Sequence, residues 1–226
     1  MPRTLRSLLS ALAAVLLLTG CLTIEENYTF KKDGSGTMEY VVDMSALGEM
    51  LKSLEAMGEG KGKGDDGGPG DLDMKDQAAT LKSLPGISKV KVNKKEKYVQ
   101  RLTFRFKDIT ALNGALNVLM PDSTGITHDF FRWDGSTLVR TNNRHALEMG
   151  DDMGADAPGD STDPTAFLQS MHYKYSFTFA EAIRDRQVAE GVSQESPEPR
   201  QLKLDTDWSV IMKDPTALDL RITLDK

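Results

Sequence analysis

The chain of 226 residues contains a single cysteine and three histidines. One thiol excludes a disulfide framework, a cysteine-based zinc site and an iron–sulfur cluster. His128, His145 and His172 are scattered along the sequence, with no His-Glu-x-x-His or paired-histidine helix, so no metal or cofactor is expected. The longest apolar run, Leu8–Leu18 broken only by Ser10, is too short to span a bilayer as a helix. Excess positive charge is missing as well. The net charge is −6, which argues against general nucleic-acid binding. No Gly-x-Ser-x-Gly elbow occurs, and the glycine-rich stretch lacks the Gly-Lys-Ser/Thr ending of a phosphate loop. The reading is therefore not an enzyme: no catalytic residue is assigned.

What is present begins with an address. Arg3 and Arg6 precede the apolar run, which ends in Leu18-Thr19-Gly20-Cys21. A charged start, an apolar core and small residues before a cleavage point make residues 1–20 a signal peptide. The last four residues resemble a bacterial lipobox. That resemblance implies a diacylglycerol on the Cys21 thiol, cleavage before Cys21 and acylation, typically by palmitate, of the new amino group. Two or three acyl chains hold a protein on a membrane stably, at about 0.8 kcal/mol per buried CH₂. Loss of Arg3 and Arg6 with the leader would take the net charge from −6 to −8.

Residues 21–226 read as one α+β domain: an antiparallel β-sheet of hairpins with a few helices packed on its apolar face. Tyr28 and Phe30 share a strand face, and Asp33-Gly34 signals a turn. Met38, Tyr40, Val42 and Met44 alternate on the return strand. Ser45 is expected to cap a helix carrying Leu47, Met50, Leu51, Leu54 and Met57. Residues 58–70, seven glycines in thirteen, read as a flexible insertion. A short helix with Met74, Ala78 and Leu81 should stop at Pro85-Gly86. A hairpin follows, with strands at 87–92 and 98–106. Asp108 should cap a helix ending at Pro121. Strands are expected at 126–133 and 137–141. Residues 148–165 carry six acids and read as a second flexible insertion. Met171, Tyr173, Tyr175, Phe177 and Phe179 alternate with His172, Lys174, Ser176 and Thr178, so this strand has one dry and one wet face. Strands are expected again at 201–211 and 218–224. Phe30-Lys-Lys-Asp-Gly-Ser and Phe131-Arg-Trp-Asp-Gly-Ser form a short internal echo.

The lipobox, the Asp33-Gly34-Ser35-Gly36 hairpin, the aromatic strand ending Phe177-Thr178-Phe179, and the Trp208 strand before a terminal strand together resemble the LppM-like bacterial lipoproteins. This implies an envelope lipoprotein with a sheet-rich domain, and lipid or glycolipid contact of the kind suggested for some members. The chain departs from that pattern at Ala180-Glu181, where the family tends to have Pro-Gly, and in its two insertions. The family supplies no catalytic residue to carry over.

Charge is the most uneven feature. Nine bases and one acid lie between Lys82 and Lys107, a local balance of +8. Lys89, Lys91, Lys94, Lys95, Lys97, Arg101 and Arg105 are candidates for contact with anionic lipid headgroups or envelope polymers. The same lysines would also serve a solvated hairpin by discouraging edge-to-edge pairing. Arg140-Thr141-Asn142-Asn143-Arg144-His145 is a polar cluster that suits either a phosphate or sugar grip or a capped turn. The expected function is a membrane-anchored envelope lipoprotein, on the periplasmic side or the cell surface, with a non-catalytic binding or scaffolding role. The alternative is a lipid or glycolipid carrier whose aromatic row lines an apolar pocket. No protein partner is named by any motif.

Overall fold

A computed structural model describes residues 21–49, 74–155 and 164–225. The aromatic alternation near its start forms β1 (Leu22–Phe30), which the Asp33-Gly34 turn returns as β2 (Gly36–Asp43). Gly34 carries the turn with φ +79, a left-handed conformation that glycine adopts without strain. The other elements follow in order: α1 (45–49), α2 (Lys75–Ser83), β3 (Ile87–Asn93), β4 (Val99–Phe106), α3 (Ile109–Leu119), β5 (Phe131–Asp134), β6 (Thr137–Arg140), α4 (Arg144–Ala155), α5 (Pro164–Gln169), β7 (Met171–Thr178), β8 (Ile183–Val188), β9 (Ser193–Glu195), β10 (Gln201–Asp207), α6 (Trp208–Ile211) and β11 (Leu220–Leu224). The α+β class holds. The helix body expected at 50–57 and the 58–70 insertion lie outside the described residues.

The strands form two sheets. Seven run in the order β3-β4-β2-β1-β7-β10-β9, and four in the order β5-β6-β11-β8. All pairs are antiparallel except the central one, β1 with β7, which is parallel. That register sets Tyr28 opposite Phe177, and their rings stack at 5.2 Å. Phe30 stacks on Phe179 at 5.5 Å in the same way. The small sheet closes over this layer: Phe131 meets Tyr28 edge-on at 5.0 Å, and Trp133 meets Phe30 edge-on at 5.9 Å. The two halves of the internal echo thus pack against each other, with Phe30 and Phe131 6.3 Å apart. Aromatic pairs of this geometry contribute about 0.5–1.5 kcal/mol each beyond their area burial.

Four segments differ from their sequence reading. Residues 126–130 do not extend β5, because Asn117 of α3 engages the backbone of His128, while Asn113, one helical turn earlier, holds the first residue of β5. Asn117 pairs with both N–H and C=O of His128, each at 2.8 Å, and Asn113 does the same for Phe131, each at 2.8 Å. Residues 148–155 are helical rather than loop, and 164–169 form α5; 156–163 are not described. Gly150 lets α4 approach Trp208 closely, which gives the acidic segment a packed face. The expected strand 201–211 ends at Asp207, whose carboxylate accepts from the N–H groups of Ser209 (2.8 Å) and Val210 (3.2 Å) and starts α6. Trp208 then turns inward and donates to the Ala146 carbonyl at 2.9 Å. Asp43, not Ser45, governs the start of α1: its carboxylate accepts from Ser45 N–H at 2.9 Å. Among the described residues no helix is long and apolar enough to cross a membrane.

Candidate functional site

Position 26 is the one acid on the dry face of β1, between Ile24 and Tyr28. Glu26 has 0% exposure, so its charge needs a partner. Arg140, at the end of β6 and also 0% exposed, supplies it from the other sheet, with Nη2 3.2 Å from Glu26 Oε1. Tyr28 and Tyr173 both donate their hydroxyls to the same carboxylate. The guanidinium lies 4.5 Å over the Tyr175 ring and donates to Asn143 Oδ1 at 3.3 Å. Burial works to lower the Arg140 pKa, but the facing Tyr175 and Glu26 outweigh it and hold the group charged. Burial pushes the Tyr28 and Tyr173 hydroxyls well up, keeping them protonated donors. Because Tyr173 donates to Glu26, its oxygen accepts from His145 Nε2 at 2.8 Å. His145 is neutral: burial, then the Arg140 charge, holds its pKa well down. With its carboxylate engaged on all sides and no exposed surface, Glu26 ties the two sheets together.

Of the two readings of residues 140–145, the capped turn holds, with Asn142 Oδ1 accepting from Arg144 N–H at 3.2 Å, and the surface grip does not. Arg140 and His145 point inward, and Asn143 donates to Pro215 O (2.8 Å) and Asp219 Oδ1 (3.0 Å). Arg144 turns to Asp122 (3.2 Å) and Glu148 (2.8 Å). Glu26 was not singled out from sequence, although a lone acid within Leu22, Ile24, Tyr28 and Phe30 is the signal that marks it. The histidines lie apart: His128 pairs with Asp122 at 2.7 Å, His145 is internal, and His172 meets Asp205 at 2.8 Å on the wet face.

The basic residues divide into two groups. Thr23 of β1 lies opposite Asp43 of β2, and Asp43 opposite Val99 of β4. The β3–β4 turn bearing Lys94, Lys95 and Lys97 therefore sits at the same end of the large sheet as Cys21. Three strand spacings, about 14 Å, separate β1 from β3. Asn93 shapes the turn by accepting from Lys95 N–H at 3.1 Å, and Lys97 Nζ lies 4.9 Å from the Tyr98 ring centroid. Cys21 is half-buried, and its N–H donates to Ser170 O at 2.7 Å. β1 starts at the next residue, so no spacer separates Cys21 from the sheet.

Lys89, Lys91, Arg101 and Arg105 instead project from the wet face. Arg105 lies opposite Thr37 and Ser88, Arg101 opposite Val41 and Asn93, and Lys91 opposite Thr103. A bulge between Ser88 and Lys91, with Lys89 at φ 56, turns Lys89 to the same side as Lys91. Lys89, Lys91 and Arg105 border a trough of about 380 Å³ that also takes in Asn27, Thr29 and Glu39. A second trough, about 390 Å³, runs on from Asn27 across β7, β10 and β9.

No protein-family model and no curated protein sequence matches the chain. Its fold is similar to that of the folded domain of Mycobacterium tuberculosis LppM, solved by NMR. The superposition covers 91% of this chain and 90% of that one, at 10% identity and a TM-score of 0.47.

Proposed function

We propose that this chain is a non-catalytic lipoprotein of a bacterial envelope, held at a membrane by acyl chains on Cys21, with its β3–β4 turn resting on anionic headgroups. The observation that carries this reading is the strand register that gives Cys21 and the Lys94–Lys97 turn one common end of the large sheet. Acyl chains on a cysteine one residue ahead of β1 draw that end toward the bilayer. Each lysine near an anionic surface adds about 1 kcal/mol of attraction, and salt screens it within about 10 Å. Its role there is binding or scaffolding. The ionisable cluster around Glu26 and Arg140 is internal and mutually neutralised, which supports a non-catalytic role. The carrier alternative needs an apolar space beside the aromatic row, and the ring-to-ring packing of Tyr28, Phe30, Phe177 and Phe179 counts against it.

The test uses the native lipidated protein, allowed to distribute between phosphatidylcholine vesicles and vesicles containing phosphatidylglycerol. The expected result is a preference of about tenfold or more for the anionic vesicles at low salt. Salt should erase it, and so should the combined Lys94→Glu, Lys95→Glu and Lys97→Glu change. A native product that washes off membranes without detergent, at the mass of the polypeptide alone, overturns the reading.

A further inference from the structure

We infer that the wet-face trough across β3, β4, β2 and β1 is a binding site for an acidic polysaccharide strand. The inference deepens the envelope reading and rests on it for where such a polymer is met. Three observations converge on it.

The first is charge. Lys89, Lys91 and Arg105 are exposed along one wall, and among the described residues none of them forms an ion pair. The one acid of this trough, Glu39, accepts from Asn27 Nδ2 at 3.3 Å. A row of unpaired cations over a polar floor attracts a polyanion and gives its binding a steep salt dependence.

The second is the spacing and chemistry of the floor. Register aligns Asn27, Glu39, Thr103 and Lys91 in one row across four strands, and Thr29, Thr37 and Arg105 in the next. Neighbouring strands are about 4.8 Å apart, so donors and acceptors recur at that interval. This is of the same order as the advance of one pyranose along an extended polysaccharide. Among the described residues the one aromatic bordering the trough is Phe104, and its side chain, like that of Tyr40, is buried on the opposite face of the sheet. A neutral sugar or a nucleobase would therefore find no stacking platform, whereas carboxylates and hydroxyls find both charge and hydrogen bonds.

The third is direction. The rows run across the strands, and the strands lead away from the Cys21 end. With that end at a bilayer, the trough lies parallel to the membrane surface, as a polymer stretched along the envelope requires. A headgroup of the same bilayer would approach the end of the sheet, where Lys94, Lys95 and Lys97 are, and not its face. The trough continues through Asn27 into the second one, giving a path across all seven strands of about 29 Å. The second half carries both signs, with Lys174 and Lys203 against Glu25, Glu195 and Asp205, so the β3 side is where a polyanion is gripped.

The experiment places the full lipidated chain in phosphatidylcholine nanodiscs and titrates oligogalacturonate, with dextran as the neutral counterpart. Oligogalacturonate should bind and weaken with salt, and dextran should not bind. Lys89→Gln, Lys91→Gln and Arg105→Gln together should weaken binding roughly tenfold or more. Thr37→Val with Thr103→Val, which leaves the charge unchanged, should weaken it several-fold. Gln replacements of Lys94, Lys95 and Lys97 should leave it unchanged. Equal losses from both lysine sets, indifference to the Lys89 set, or no effect of the threonine pair overturns the site. Loss of the anionic-vesicle preference with oligogalacturonate binding intact rejects the membrane-contact reading and leaves this one standing.

Discussion

Glu26 of β1 and Arg140 of β6 meet at 3.2 Å with no solvent exposure on either side chain, and they belong to different sheets. Their pairing decides how the small sheet sits on the large one, because a buried charge tolerates no position without its counter-charge.

Removing one partner should therefore be far worse than removing both. Arg140→Met leaves Glu26 buried with only tyrosine donors, and a loss of about 3–5 kcal/mol is expected in urea unfolding. Glu26→Met should be similarly severe. The double variant should recover a large part of the summed loss, since two apolar chains leave no charge behind. Strictly additive losses would show that the two residues act independently.

Acid should loosen the fold in a window set by His145. Its folded pKa is depressed, by burial and then by the Arg140 charge, with His128 adding to it. The unfolded chain takes up a proton near pH 6.5 while the folded chain does not. Stability is thus full above about pH 6.5 and declines as pH falls, by at most about 1.4 kcal/mol per pH unit. Asp122 has a depressed pKa too, first through the Thr124 hydroxyl and then through His128, but its contribution fades only below about pH 4. His145→Gln keeps a donor for Tyr173 and should flatten the melting temperature between pH 7 and pH 5 (about two units). An unchanged slope in that variant would assign the effect elsewhere.

Gly150→Ala pits helix propensity against packing. Alanine in a helix interior gains about 1 kcal/mol over glycine. Here the new Cβ would stand 2.5 Å from Met212 Sδ and 2.7 Å from Trp208 Cδ1. Met212 can swing away; the indole, held by its bond to Ala146, cannot. Overpacking of about 1–3 kcal/mol should win, giving a lower melting temperature and a shifted tryptophan emission. A stabilised variant would mean that α4 and α6 part easily.

Asn113 stands in for a neighbouring strand at the open edge of β5. Asn113→Leu leaves the N–H and C=O of Phe131 without those partners, which should cost about 1–3 kcal/mol. Hydrogen exchange at the Phe131 amide should accelerate selectively. Unchanged protection there would show that the side chain is not what shields the edge.

The elements that were legible are those with a local, periodic cause. The rows at Tyr28–Phe30, Met38–Val42, Leu102–Phe106 and Met171–Phe177 appear as strands with those residues inward, and Asp108 caps α3 by accepting from Ala111 N–H at 2.9 Å. β8 and β9 were not legible, because charged, exposed residues such as Arg184, Asp185 and Arg186 form strands only when β11 and β10 offer an edge. The same holds for 126–130, where the Asn117 side chain takes the N–H and C=O of His128 that a strand partner would need. The basic residues were legible as a group but not as two groups, since sequence order says nothing about which end of a sheet a turn occupies.

The sequence by itself determined the α+β class, most strand faces and the basic hairpin. Each rests on neighbours within a few residues, where alternation and capping act. Only the tertiary structure decided that β1 and β7 run parallel, that Glu26 meets Arg140 from 114 residues away, and that the Lys94–Lys97 turn shares an end with Cys21. Those outcomes depend on pairing and burial between distant segments, and a strand's alternation is the same whichever direction or partner it finally takes.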